Sequence, residues 1–258
     1  MAKDDVRIPG IDVWRDSFAG DGDRYVVIGG TARELVYAER GVWEDTATKD
    51  LDVVLIAEAI DAGFVSRFMS FVREGGYSHV TKSGDTQMYR FSQPVDASFP
   101  QQVELLCRRP DYLQGVEAVV GKVPVDDAEY SLSAILLDDD YYGLLASGIA
   151  VTRRYGIPTL SWEYLPVFKM RAFDDLTDRK ARGESVRSGE IGKHRRDVVR
   201  LMAIMPAGTR VELPDRVRSE VERFLHTVEE SSRSYMCSLG LGGISFADVM
   251  ERIREVYL

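Results

Sequence analysis

Cysteine is almost missing from this 258-residue chain. Cys107 and Cys237 stand far apart without metal-ligand spacing, which excludes a disulfide framework and a cysteine metal site. A reduced, cytoplasmic setting is expected from that usage. Long apolar runs are missing too. No stretch approaches the roughly 18 residues that a membrane span needs. The polar opening at residues 1–8 lacks a signal-peptide pattern, so no membrane role is expected. Positive charge is in deficit, with 33 Lys and Arg against 42 Asp and Glu and a net charge of −9. Non-specific DNA binding rests on cations neutralising phosphates, so this chain is a poor candidate for it. No repeat and no low-complexity segment interrupts the sequence. What remains is ordinary for a soluble globular protein, at 45% hydrophobic and 29% charged residues. The length suits one large domain or two small ones.

The most informative stretch runs from residue 25 to residue 56. Residues 25–28 are a short, β-branched apolar run that suits a buried strand. Gly29 and Gly30 break it and permit a tight turn. Thr31 is placed to cap the helix that follows. The N-terminus of that helix offers free N–H groups and the positive end of the dipole, which suits phosphate. A second strand, 51–56, opens at Asp50 and Asp52. Alternate strand residues point the same way, so both carboxylates share one face and can share a divalent cation. Mg2+ is usually held by one or two carboxylates plus substrate phosphates. Singly, a Gly-Gly turn and an Asp-x-Asp at a strand end are commonplace. In the order strand, glycine turn, helix, Asp-x-Asp strand, they point to phosphoryl or nucleotidyl transfer.

Gly29-Gly30-Thr31-Ala32 followed by Lys49-Asp50-Leu51-Asp52 resembles the minimal nucleotidyltransferases of the polymerase-β superfamily. Within it the chain is most similar to the AbiEii/AbiGii-type abortive-infection toxins, with a longer gap between Gly30 and Asp50 than the most compact members have. The resemblance continues through Leu165 to Ala172 and Lys193 to Leu201, and covers about residues 24–205. It implies a third carboxylate from a later strand, for which Glu104 is the residue in place. It also implies a lysine, Lys169, on triphosphate oxygens, and a supporting aspartate, Asp197, on the next helix. Read from the residues alone, Lys169 is a snorkelling helix lysine and Asp197 an i,i+4 partner of Lys193.

The rest of the chain reads as scaffold around these positions. A short helix over 10–19 packs Ile11, Trp14 and Phe18. The helix from Thr31 to Glu39 turns Ala32, Leu35 and Val36 inward. Arg33 on it is within reach of a phosphate, although an exposed helix arginine is the commoner outcome. An amphipathic helix spans 61–74, followed by a strand near 77–81 and a turn at 83–85. Residues 87–92 and 101–108 form an extended hairpin. In its second arm Glu104 shares a face with Leu106, opposite Val103, Leu105 and Cys107. A carboxylate in so apolar a strand is paired, metal-bound, or on an edge facing water. Strand-like runs follow at 116–120, 123–125 and 131–137, and Asp138 to Asp140 cap a helix over 141–147. Ser161 is expected to cap a helix over 163–181 with Leu165, Phe168, Ala172 and Leu176 inward. A basic loop at 183–192 and helices near 213–229 and 246–257 complete the chain.

Charge is uneven. Residues 179–200 hold eight Lys and Arg against three acids, a local +5. Arg187, Arg195 and Arg196 in it form a candidate surface for a phosphate-rich acceptor. The alternative is a merely solvated or salt-bridged loop.

These readings predict an α+β fold. A nucleotidyltransferase-like mixed sheet with flanking helices (1–160) precedes a helical C-terminal domain (161–258), with the site in the cleft between them. Asp50, Asp52 and Glu104 are the expected metal and catalytic residues. Gly29, Gly30, Thr31, Arg33, Lys169 and Asp197 are the nucleotide-binding ones. The expected activity moves an NMP from an NTP to an acceptor, tRNA or protein, with Mg2+ or Mn2+ and release of pyrophosphate. The resemblance adds a toxin role with an antitoxin partner. Two alternatives stand beside it: an inactive nucleotide- or partner-binding module of the same fold, and an antibiotic-modifying nucleotidyltransferase, which the basic segment disfavours.

Overall fold

The computed structural model describes residues 8–42, 48–79, 88–109, 120–123, 133–228 and 232–258. The chain divides into two compact units, residues 1–161 and 162–258. In the first, α1 (Ile11–Ser17), β1 (Tyr25–Ile28), α2 (Gly29–Glu39), β2 (Asp50–Leu55) and α3 (Ala62–Gly75) come first. Then follow β3 (Arg90–Ser92), β4 (Gln102–Arg108), β5 (Val120–Lys122), β6 (Ser133–Leu137), α4 (Asp139–Ser147), β7 (Ile149–Val151) and β8 (Pro158–Leu160). The strands build one mixed sheet in the order β5-β6-β4-β2-β1-β8-β7, with β3 also paired to β4.

Strand β2 is central, antiparallel to β1 and parallel to β4. Its Leu51, Val53, Val54 and Leu55 are buried, as an almost unbroken apolar run requires of a strand covered on both faces. The other edge of β4 is shared by β3 beside Glu104 and β6 beside Cys107. Glu104 therefore does not sit on a free edge, which removes the edge-strand alternative.

An aromatic cluster fixes α1 and α3 to this unit. Trp14 meets Phe18 at 4.3 Å and Phe71 at 5.4 Å, and Phe68 meets Phe91 of β3 at 5.2 Å. Burying each such ring contributes about 1.5–3 kcal/mol. Helix α3 starts with the Asp61 carboxylate accepting from Phe64 N and ends at Gly76 in the left-handed region. Its expected inward residues Phe64, Val65, Phe68, Phe71 and Val72 are all buried. Asp138 caps α4 through Tyr141 N.

The second unit is helical among its described residues: α5 (Leu165–Ala181), α6 (Ser188–Ala203), α7 (Asp215–Thr227), α8 (Arg233–Ser238) and α9 (Phe246–Tyr257). Phe173 of α5 meets Phe224 of α7 edge-on at 5.1 Å. Ser245 and Asp248 close a reciprocal capping box on α9, which buries Val249, Ile253 and Val256 as its spacing predicts. A mixed sheet with flanking helices, followed by a helical unit, is the α+β class read from the sequence.

The structure corrects several local readings. Thr31 does not cap α2. The helix begins two residues earlier, and the Thr31 hydroxyl donates to the Asp50 carbonyl at 2.8 Å. Ser161 caps nothing: α5 begins at Leu165 after Tyr164, with proline in its first turn. The buried face of α5 carries Lys169, Met170, Phe173 and Asp174, while Phe168, Ala172 and Leu176 are only partly covered. Counting apolar spacing misplaced that face because two charged residues on it are buried through ion pairs. The basic segment is mostly helix from Ser188 onward, its Gly189 and Gly192 included. Arg33 is not exposed. It is 2% accessible and lies over the Tyr37 ring at 5.8 Å. The turn at 83–85 and the runs at 80–81, 116–119, 124–125 and 131–132 lie outside the described residues.

Candidate functional site

The first unit gathers the glycine turn and the carboxylates through strand register. Ile28 pairs with Asp52, and Asp52 pairs with Glu104. Glu104 pairs with Arg90. The lateral row across β1, β2, β4 and β3 is thus Ile28, Asp52, Glu104, Arg90. Paired residues on adjacent strands share a face. Asp50 pairs with Gln102 one step along the same face.

Gly29 follows Ile28 and takes φ +70°, a left-handed conformation that favours glycine. A Cβ on Gly29 would lie 1.9 Å from Asp52 Oδ2. The Asp52 carboxylate therefore fills the space beside the Gly29 backbone, at the start of α2. A carboxylate there meets the positive end of the helix dipole. Gly30 serves a second close approach, since its Cβ would lie 2.7 Å from Thr48 Oγ1. The Glu34 carboxylate accepts from the Thr48 backbone N–H and from Arg33. Together with the Thr31 bond to the Asp50 carbonyl, these contacts pin the lead-in of β2 to α2.

Asp50 is exposed and Asp52 partly so. Glu104 Oε1 accepts from Arg90 Nε at 2.6 Å and from Gln102 Nε2 at 2.9 Å. The Glu104 side chain is 16% exposed and that of Arg90 is 43%. Among the described residues no three His, Cys, Asp or Glu side chains are gathered into a metal cage. The donor set still fits Mg2+ or Mn2+, because Asp50 and Asp52 offer hard oxygens on one accessible face. Such a pair would leave most of the coordination sphere to other oxygen ligands.

The second unit brings Lys169 and Asp197 together. Lys169 Nζ lies 3.1 Å from Asp197 Oδ2, with side chains 6% and 0% exposed. Asp197 is therefore the partner of Lys169 rather than of Lys193, and Lys169 is buried rather than snorkelling. His194 nearby is pushed down to about 4, first by burial, then by the charges of Lys169 and Lys193, with Asp197 acting the other way. Of the basic segment, Arg187 is exposed at the start of α6, while Arg195 and Arg196 are partly covered. Arg195 lies over the Tyr235 ring at 4.9 Å. Arg179 and Arg182 are paired with Glu184.

Sequence reasoning missed Arg90, Gln102, Thr48 and Glu34. Strand alternation places Gln102 on the face of Glu104, so that signal was present. Arg90 needed the hairpin register, and the Glu34 to Thr48 contact has no signature in the sequence.

No family model and no curated protein matches the chain. Among solved structures it is similar to an antigenic nucleotidyltransferase-like protein from Paracoccidioides brasiliensis. The two share 13% identity over 93% of this chain and 94% of that one, at a TM-score of 0.42. So distant a likeness adds nothing to the geometry above.

Proposed function

We propose that the protein is a metal-dependent nucleotidyltransferase that moves an NMP from an NTP to an acceptor hydroxyl. The supporting observation is the close packing of the Asp52 carboxylate on the Gly29 turn at the start of α2, in register with Glu104. In the reaction the acceptor oxygen bonds to the α-phosphorus, the bond to the β-phosphate oxygen breaks, and pyrophosphate leaves. Asp50 and Asp52 would hold the divalent ion, which when bound would neutralise charge on the phosphates and lower the pKa of an attacking hydroxyl. The first-turn N–H groups of α2, at Gly29, Gly30 and Thr31, face phosphate oxygens. Glu104 has one oxygen occupied by Arg90 and Gln102, which leaves Oε2 for a second cation or the hydroxyl proton. Arg33, buried beside Glu34, shapes α2 rather than touching the nucleotide. A role for Lys169 and Asp197, paired within the second unit, on triphosphate oxygens is carried by the sequence resemblance alone. The toxin role, the antitoxin and a tRNA or protein acceptor are carried by the sequence resemblance alone.

A second reading, a nucleotide-binding module without chemistry, is favoured by the ion pairs that already occupy Glu104 and Lys169. Thermal unfolding separates the two. Ligand at 100 times its Kd stabilises by about 2.7 kcal/mol. The catalytic reading requires NTP stabilisation that depends on Mg2+ and is lost in Asp52→Asn. Stabilisation indifferent to metal supports the module.

A further inference from the structure

Lysine and arginine are common partners of phosphate oxygens, and the lysine singled out for that task is almost fully buried against Asp197. The row that carries Asp52 and Glu104 ends in a different cation, Arg90. Adjacent strands lie about 4.8 Å apart, so the Arg90 backbone is about 10 Å from that of Asp52, on the same face. Its Nε is tied to Glu104 Oε1 at 2.6 Å, and Gln102 grips the same oxygen at 2.9 Å. Among the described residues Nη1 and Nη2 have no hydrogen-bond partner, on a side chain 43% exposed. A guanidinium braced at Nε presents its terminal nitrogens as a fixed fork, which matches the oxygens of a phosphate.

We infer that Arg90 binds phosphate oxygens of the nucleotide, with Glu104 and Gln102 holding its guanidinium in place; the inference rests on the nucleotidyl-transfer reading above. Arg90 is then a substrate-touching residue of the first unit, and Glu104 is in part its positioning residue.

The test measures three bindings on the full chain, in wild type, Arg90→Gln and Arg90→Lys. They are calorimetric binding of non-hydrolysable analogues of each of the four NTPs with Mg2+, binding of the parent nucleosides, and Mn2+ binding without nucleotide. Wild type is expected to bind at least one analogue. Arg90→Gln should weaken it roughly 10- to 100-fold, the range for a charged hydrogen bond. Arg90→Lys should recover only part, because an ammonium cannot both pair with Glu104 and fork a phosphate. Nucleoside binding should not change, and Mn2+ should bind as well or better once a neighbouring positive charge is gone. Wild-type analogue affinity in Arg90→Gln overturns the inference. So does a loss of analogue affinity that merely follows a loss of Mn2+ affinity, since Arg90 would then act only through Glu104. Should Arg90→Gln fail to fold, Arg90→Lys keeps the charge beside Glu104, and full analogue affinity in it overturns the fork. A wild type that binds no analogue overturns the functional reading itself, and the inference with it.

Discussion

Gly29→Ala tests the contact that places Asp52. The Gly29 φ of +70° costs an L-residue about 1–2 kcal/mol. The new methyl would sit 1.9 Å from Asp52 Oδ2 and 3.2 Å from Asp52 Cβ. The first contact cannot stand, so the carboxylate must leave. Overpacking of this kind adds about 1–3 kcal/mol, for a total near 2–5 kcal/mol. In an Asp52→Ala background the offending oxygen is absent and only the 3.2 Å contact remains, so Gly29→Ala should cost little beyond the conformational part. A coupling of about 1–3 kcal/mol between the two substitutions is the expected result, within the range for residues in contact. Urea denaturation of all four proteins measures it, read from the midpoints at unchanged slope. Additivity within about 0.5 kcal/mol would show that the Asp52 carboxylate does not occupy the space beside Gly29.

Three further outcomes follow from the second unit. Lys169→Met removes the Lys169 cation from the fully buried Asp197 and should cost about 3–5 kcal/mol, while Lys169→Met with Asp197→Leu should recover most of it, by urea midpoints. His194 has its folded pKa lowered to about 4, below the unfolded value near 6.5. Unfolded chains take up this proton first, so its contribution to stability is whole above about pH 6.5 and is lost as pH falls toward 4, at about 1 kcal/mol per unit. His194→Gln should flatten that part of a stability-against-pH curve. Replacing Arg187, Arg195 and Arg196 by Glu should weaken RNA binding and lower its log-salt slope by roughly 0.7 per lost contact to a single strand. An unchanged slope removes this surface as the acceptor site.

The first two strands, the glycine turn between β1 and α2, and α3 were legible in the sequence because each is local. β1, β2 and α3 were readable from apolar runs, Gly-Gly breaks and an Asp cap, each set by residues within a few positions. Strand alternation put Asp50 and Asp52 on one face, and Val103, Leu105 and Cys107 opposite Glu104, as the burial of β4 shows. What could not be read depends on contacts between distant segments. The parallel pairing of β2 with β4 makes Asp52 and Glu104 neighbours across 52 positions of chain. No local pattern announces Arg90 beside Glu104, or Glu34 holding Thr48. On α5 the apolar count failed because Lys169 and Asp174 are buried, their charges met by Asp197 and Arg223 on other helices. Arg33 went the same way, drawn inward by Tyr37 and Glu34.

The central claim is chemical, and label transfer addresses it most directly. Wild type and Asp52→Asn are incubated with each α-labelled NTP, Mg2+ or Mn2+, and RNA, protein or small-alcohol acceptors. The label retained on acceptor is then counted. Wild type should transfer label from at least one NTP, and Asp52→Asn, folded as judged by its melting curve, should be slower by about 10³, or about 4 kcal/mol of barrier. Folded wild type that labels no acceptor, or Asp52→Asn that transfers at the wild-type rate, would contradict the assignment of this site to metal-dependent nucleotidyl transfer.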